Sequence, residues 1–179
     1  MPTALPKDPA ARWKRVLLVV LEVLLIAAIL YSIYWWRNRD LLPADSAAVP
    51  AFELMSLDGV AWTEESLDDG TTVLYFFAPW CTVCKASAHQ LRWFQRWSPG
   101  EVEVVMVALD WTSTAEVREY VADRRIEAPV LLGNARTAAA FRVSGYPTYY
   151  VIRNGRVMRR DFGYTTLVGL WWRTRIGTT

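Results

Sequence analysis

The chain has 179 residues, is 53% hydrophobic and 21% charged, and carries a net charge of +2. That length suggests one domain plus an additional segment. Two cysteines among 179 residues exclude the disulfide framework of small secreted scaffolds. From Ala51 onward 14 basic and 14 acidic residues balance, with 4 basic and 12 acidic up to Asp123 and 10 basic and 2 acidic after it. The arginines of the second half are scattered, which implies a mixed solvated surface and no nucleic-acid partner.

The additional segment is N-terminal. Val16 to Trp36 is a run of 21 residues whose only charge is Glu22. As a helix it is about 31 Å long, the thickness of a bilayer hydrocarbon core. Lys7, Arg12, Lys14 and Arg15 precede it, and Tyr31, Tyr34, Trp35 and Trp36 form an aromatic belt at its far end. The run is too long for a cleaved signal peptide and its end lacks a small-residue cleavage pattern. It reads as an uncleaved signal anchor, residues 16–36. Four basic residues before the span against Arg37 and Arg39 after it place residues 1–15 in the cytoplasm and the rest outside. Glu22 is costly in such a span, and faces a partner helix or is tolerated as a protonated or snorkelling side chain. Residues 37–50, with Pro43 and Pro50 among small polar residues, read as a linker, and residues 51–179 as the extracytoplasmic domain.

Within that domain Phe52 and Leu54 alternate toward one face, and Asp58-Gly59 supplies a turn before Val60-Ala61-Trp62, so an opening hairpin is expected. Thr63 to Ser66 starts a helical turn. Thr72 to Phe77 is a buried strand. A helix begins at Cys81, with Cys84, Ala88, Leu91, Phe94 or Trp93, and Trp97 on its apolar face, and stops at Pro99-Gly100. Val102 to Leu109 is a second buried strand. Ser113-Thr114-Ala115-Glu116 has capping-box spacing and opens a helix to about Arg125. A short extended piece, Pro129 to Leu132, and a short helix, Ala135 to Phe141, follow. Strands Tyr149–Arg153 and Arg156–Phe162 flank an Asn154-Gly155 turn, and a last helix runs from about Thr165 to Arg175. The order β-α-β-α-β-β-α calls for an α/β domain whose parallel sheet is covered on both faces and finished by an antiparallel edge.

The chemistry lies at Cys81-Thr82-Val83-Cys84. In an extracytoplasmic compartment an isolated Cys-x-x-Cys is more often redox-active than structural. Only a thiolate attacks a disulfide, so one cysteine needs a lowered pKa and exposure. At the first turn of a helix Cys81 gains both, from unpaired backbone N–H groups and the helix dipole. Cys84, one turn further in on the same face, is placed to displace a bound partner. Cys81 is therefore the nucleophile and Cys84 the resolving cysteine. Haem attachment needs His after Cys84, where Lys85 stands. A zinc site needs two more ligands, and the lone histidine, His89, lies about 140° around the helix from Cys84. No metal site is assigned and no cofactor beyond the redox-active disulfide, with copper held by the two sulfurs alone as the open metal alternative.

Trp80-Cys81-Thr82-Val83-Cys84-Lys85 after an apolar strand resembles the thioredoxin active site, and Gly145-Tyr146-Pro147-Thr148 resembles its cis-proline loop. The match covers roughly Ala51 to Trp172 with all elements in order. With its anchor and opening hairpin the chain is similar to the TlpA/ResA-like membrane-anchored thioredoxins of bacteria. Its ending, Gly163 to Trp172, is similar to the suppressor-of-copper-sensitivity branch. The resemblance implies a thioredoxin fold with an N-terminal β-hairpin extension, preceded by one transmembrane helix. It implies a cis Tyr146–Pro147 bond beside the cysteines, Tyr146 backbone pairing with an extended substrate, and Trp80 over the reactive sulfur. Trp80, Tyr146 and Pro147 are thus the expected substrate-binding residues.

The family places a buried Asp six residues before the first cysteine, where this chain has Tyr75, and ResA-like members a Glu three after the second, where it has Ser87. The family's helix proline is His89 here. Neither carboxylate is available for the proton of Cys84, which leaves water or Asp110. The expectation is a protein-disulfide oxidoreductase of the bacterial inner membrane, its domain periplasmic, exchanging disulfides with protein thiols and coupled to a membrane electron donor or acceptor. A reductase role, for instance in cytochrome c maturation or disulfide repair, is expected. The alternatives are a disulfide oxidase or isomerase, or a copper-binding or copper-tolerance module using the same two cysteines.

Overall fold

A computed structural model describes residues 9–39, 41–44, 47–98 and 100–175. Residues 1–8 with Lys7, the linker positions Asp40, Asp45 and Ser46, and the helix-stopping Pro99 lie outside the described residues. Contacts divide the chain into two units, Met1–Arg39 and Asp40–Thr179.

The first unit holds one helix, α1 (Pro9–Asn38). Within it Arg12–Trp36, 25 residues, is long and apolar enough to cross a membrane. Glu22 is exposed along with its apolar neighbours.

The second unit is built on a six-stranded sheet in the order β1-β8-β7-β4-β5-β6. The strands are β1 (Ala47–Ala48), β4 (Thr71–Phe77), β5 (Glu103–Ala108), β6 (Val130–Leu132), β7 (Thr148–Arg153) and β8 (Arg156–Phe162). β4, β5 and β6 run parallel, and β7, β8 and β1 are antiparallel to their neighbours. The expected opening hairpin is β2 (Glu53–Met55) with β3 (Ala61–Thr63), followed by a 3-10 turn at Glu64–Leu67. The helices are α2 (Thr82–Trp97), α3 (Thr114–Arg124), α4 (Ala135–Ala140) and α5 (Leu167–Arg175).

Both faces of β4 are covered, which is why its sequence is apolar at consecutive rather than alternate positions. Val73, Tyr75 and Phe77 pack with Cys84, Leu91 and Phe94 of α2, Val117 and Tyr120 of α3 and Leu170 of α5. Leu74 and Phe76 pack on the other side with Leu54, Leu67, Phe141, Tyr150 and Ile152.

Two expectations are corrected. The linker reading of residues 37–50 fails from Leu41 onward. Leu41 and Leu42 are 1% and 8% exposed, Val49 is 8% exposed, and Ala47–Ala48 pairs with Arg156–Val157 at the sheet edge. Arg160 donates to the Leu41 and Leu42 carbonyls at 2.6 and 2.8 Å, which holds an otherwise irregular segment against the sheet. Trp97, assigned to the apolar face of its helix, is 71% exposed. The last turn of α2 lies beside α5, and Trp97 flanks a surface groove with Leu167, Val168 and Trp171 instead of entering the core.

Candidate active site

Three loops meet at one end of the sheet. β4 ends at Phe77, opposite Ala108 of β5, and Phe76 pairs with Thr148 at the start of β7. The register therefore brings together Ala78–Cys81 after β4, Leu109–Asp110 after β5 and Gly145–Pro147 before β7. Leu109 N–H donates to the Phe77 carbonyl at 2.9 Å and extends the pairing past the strands.

Cys81 is the N-cap of α2, with extended backbone, and its Sγ accepts the Cys84 N–H at 3.1 Å. The sulfur thus lies against one of the N–H groups that a helix start leaves without an intrahelical partner. Cys81 and Cys84 are joined as a disulfide, with Cα atoms 5.2 Å apart. Cys84 is completely buried and Cys81 6% exposed, so Cys81 is the one that reaches solvent. That exposure is smaller than the sequence reading expects, because Cys81 N–H donates to the Ala78 carbonyl at 3.0 Å and this turn draws the residue inward.

The Tyr146–Pro147 peptide is cis, as the resemblance implied. Thr148 Oγ1 donates to the Gly145 carbonyl at 2.9 Å, and Gly163 N–H donates to the Pro147 carbonyl at 2.8 Å. Gly145 has a steric reason: a Cβ there would lie 2.8 Å from the Phe162 ring.

Trp80 is 60% exposed, and its ring meets that of Tyr146 edge-on at 5.8 Å. Trp80 Nε1–H donates to the Asp110 carbonyl at 3.2 Å, and Tyr146 Oη–H donates to Asp110 Oδ2 at 3.0 Å. Burial, reinforced by the hydrogen bond to Asp110, pushes the Tyr146 hydroxyl pKa well above the ordinary tyrosine value and keeps its proton in place. The expected substrate-binding residues Trp80 and Tyr146 therefore touch, and Asp110 joins them. The sequence reading singled out Asp110 as a proton acceptor; the contacts with its carbonyl and its carboxylate have no local sequence signal.

Beneath the disulfide, the two positions where the resemblance implied carboxylates hold hydroxyls. Tyr75 and Ser87 are fully buried, and Tyr75 packs in the same core as Cys84. The two hydroxyls face each other, but neither completes a hydrogen bond. Burial raises the Tyr75 pKa far above the ordinary tyrosine value, so this group is a neutral phenol and not a base. His89 is exposed, and its Nε2 accepts from Trp93 Nε1–H at 2.9 Å. Among the described residues no three His, Cys, Asp or Glu side chains gather into a metal-ligand set.

The pattern of the AhpC/TSA family matches residues 46–160. The chain belongs to that family. Thioredoxin-like protein YneN of Bacillus subtilis (strain 168) is 22% identical over 142 residues, which is 78% of this chain and 84% of that protein. Among solved structures, MTB DsbF in its mixed oxidized and reduced forms superposes with a TM-score of 0.66 at 27% identity, covering 72% of this chain and 96% of that one. StoA from Bacillus subtilis gives a TM-score of 0.61 at 21% identity, covering 74% and 100% respectively, and shows a shared fold. This AhpC/TSA-family chain is a thioredoxin-fold thiol–disulfide oxidoreductase, with its cysteine pair at disulfide distance.

Proposed function

We propose that the protein is a membrane-tethered, extracytoplasmic reductase of protein disulfides in which Cys81 attacks and Cys84 resolves. One observation supports these roles for the two cysteines: of the two paired sulfurs, that of the helix-capping residue belongs to the one cysteine with any exposure. In the reduced protein the Cys81 thiolate is favoured by the free N–H groups and positive end of α2. It attacks one sulfur of a substrate disulfide, forms a mixed disulfide, and releases the other substrate sulfur as a thiolate that takes up a proton. Cys84, losing its proton, then attacks Cys81 Sγ, forms the Cys81–Cys84 disulfide and releases the second substrate thiol. The substrate gains two electrons and the protein loses two, so a dithiol or equivalent donor must reduce the pair again. Trp80 and the Tyr146–Pro147 loop line the approach to Cys81. A membrane donor fits a domain whose chain carries a spanning helix, with the N-terminus cytoplasmic and the domain in the periplasm of a bacterial inner membrane. The secreted Mycobacterium tuberculosis disulfide oxidoreductase homologous to E. coli DsbE, similar in fold, supports an extracytoplasmic setting.

The test is to express full-length Cys84→Ser protein and look for mixed disulfides. Extracytoplasmic proteins should be trapped on Cys81 and released by a reductant, while Cys81→Ser traps none. Trapping through Cys84 instead would reverse the roles. The reduction potential of the wild-type pair decides direction: a value at the oxidising end of the thiol–disulfide scale makes the protein an oxidase or isomerase.

A further inference from the structure

We propose that Asp110 is the positioning residue of the substrate cleft, holding Trp80 and Tyr146 as one fixed wall beside Cys81 and thereby setting affinity for protein disulfides. The inference rests on the reading above, in which Cys81 attacks protein substrates. Its own ground is a three-way junction. Asp110 uses two different atoms: its carbonyl holds the Trp80 indole N–H at 3.2 Å, and its carboxylate holds the Tyr146 hydroxyl at 3.0 Å. The two rings close the triangle edge-on at 5.8 Å. The three residues come from three separate loops.

The backbone of Asp110 is built for this. Its φ is +48°, a left-handed conformation that Asp and Asn tolerate better than most non-glycine residues. Two residues past β5, that conformation turns the chain so that main-chain carbonyl and side-chain carboxylate serve two loops at once. Strained positions of this type persist where surrounding contacts over-determine them. The need for such a clamp follows from exposure. Trp80 is 60% exposed, and an aromatic ring so little covered would otherwise sample several rotamers, which binding would have to freeze. Anchoring the indole N–H and packing the Tyr146 ring edge-on against it fixes the wall beforehand. The Tyr146 hydroxyl is protonated throughout the neutral range, as any tyrosine is, and so remains a donor. Cys84 is fully buried while the Asp110 carboxylate is engaged with Tyr146, so positioning accounts for Asp110 where proton transfer does not.

A wall of this kind matters for a polypeptide that lies along it and not for a small aromatic disulfide that meets only the sulfur. The full-length protein in nanodiscs is assayed with a disulfide-bonded unfolded protein and with a small aromatic disulfide. For Asp110→Ala, KM for the protein substrate should rise about tenfold, the effect of losing a hydrogen bond to a charged group. The loss should fall on KM far more than on kcat, the rate with the small disulfide should change much less than the rate with the protein substrate, and the reduction potential should not move. Asp110→Asn keeps an acceptor oxygen and tolerance of the left-handed backbone, and should restore KM to within about twofold. Tyr146→Phe should reproduce the KM rise without touching the backbone of Asp110. If Asp110→Asn is as slow as Asp110→Ala with both substrates, the carboxylate handles a proton and the positioning role is overturned. Unchanged KM in Asp110→Ala and Tyr146→Phe, with an active wild type, overturns the clamp alone. A wild type that turns over the small disulfide but no protein disulfide overturns the broader reading, and the clamp with it.

Discussion

Two buried tyrosines make the same chemical group behave in opposite ways. Tyr150 Oη–H donates to the Phe141 carbonyl at 2.6 Å and accepts the Leu42 N–H at 3.3 Å, so one hydroxyl satisfies two irregular backbone groups. The Tyr75 hydroxyl is equally buried and meets only the Ser87 hydroxyl, without completing a hydrogen bond to it. Removing a buried group that bonds leaves its partners stranded, whereas removing one that does not bond relieves a desolvation penalty. Tyr150→Phe is therefore expected to lose about 1–3 kcal/mol, and Tyr75→Phe to lose nothing or gain up to about 1 kcal/mol. Urea unfolding at pH 8 checks both, and equal losses would refute the distinction. The pH dependence gives an independent control. Burial above all pushes the Tyr150 pKa up to about 12 from an unfolded value of 10.0. A raised folded pKa contributes stability that is complete below the unfolded pKa and lost as pH rises through the folded one. The gap between wild type and Tyr150→Phe should accordingly be full below pH 10 and shrink between pH 10 and about 12.

Elements were legible where their signals are local. Ser113 caps α3, accepting the Glu116 N–H at 3.2 Å, and the Asn154-Gly155 turn joins β7 to β8, both as spacing predicted. The cysteine pair was readable for the same reason, since strand, turn and helix start occupy one stretch. What the spacing could not convey is pairing across distance. Asp110 meets Trp80 across 30 residues and Tyr146 across 36, and nothing around any of the three announces the others. Trp97 matched the helical period, yet period alone does not say where along a helix the covering elements end. The junction also depends on packing at the end of β5. Gly133 N–H donates to the Ala108 carbonyl at 2.9 Å, and its own carbonyl accepts Trp111 Nε1–H at 2.9 Å. A Cβ at Gly133 would lie 2.7 Å from Leu109 Cδ2, 2.8 Å from Val107 Cγ1 and 3.0 Å from the Ala108 carbonyl oxygen. The backbone atom cannot move aside without disturbing the β5–β6 pair. Gly133→Ala should cost about 1–3 kcal/mol, the usual penalty for overpacking. A chemical-denaturation midpoint equal to wild type would show that the strand end yields more easily than this.

At the scale of the whole molecule, the open issue is where the folded unit begins. Composition placed a linker before Ala51 because two prolines and small residues surround a few apolar ones without any period. The apolar residues nevertheless enter the core: Leu41, Leu42 and Val49 pack with Leu54, Phe76, Phe141 and Tyr150. Irregular backbone can enter a core only if its polar groups find partners. Here Arg160 serves two carbonyls, Tyr150 serves the Leu42 N–H, and Val49 N–H donates to the Gly155 carbonyl at 2.9 Å. None of those partners is within a hundred residues of the segment, so a reading of neighbouring residues misses them. Two soluble fragments separate the possibilities, one starting at Leu41 and one at Ala51. Burying each large aliphatic side chain contributes about 1.5–3 kcal/mol. Losing three of them, the β1–β8 pairing and the Arg160 contacts should lower the melting temperature of the shorter fragment by roughly 10 °C or more. The longer fragment should match the thermal stability of the domain in the full-length protein. Equal melting of the two fragments would return residues 41–50 to the role of a spacer. A large difference would mean that this segment is part of the folded unit, as the outer edge of the catalytic sheet.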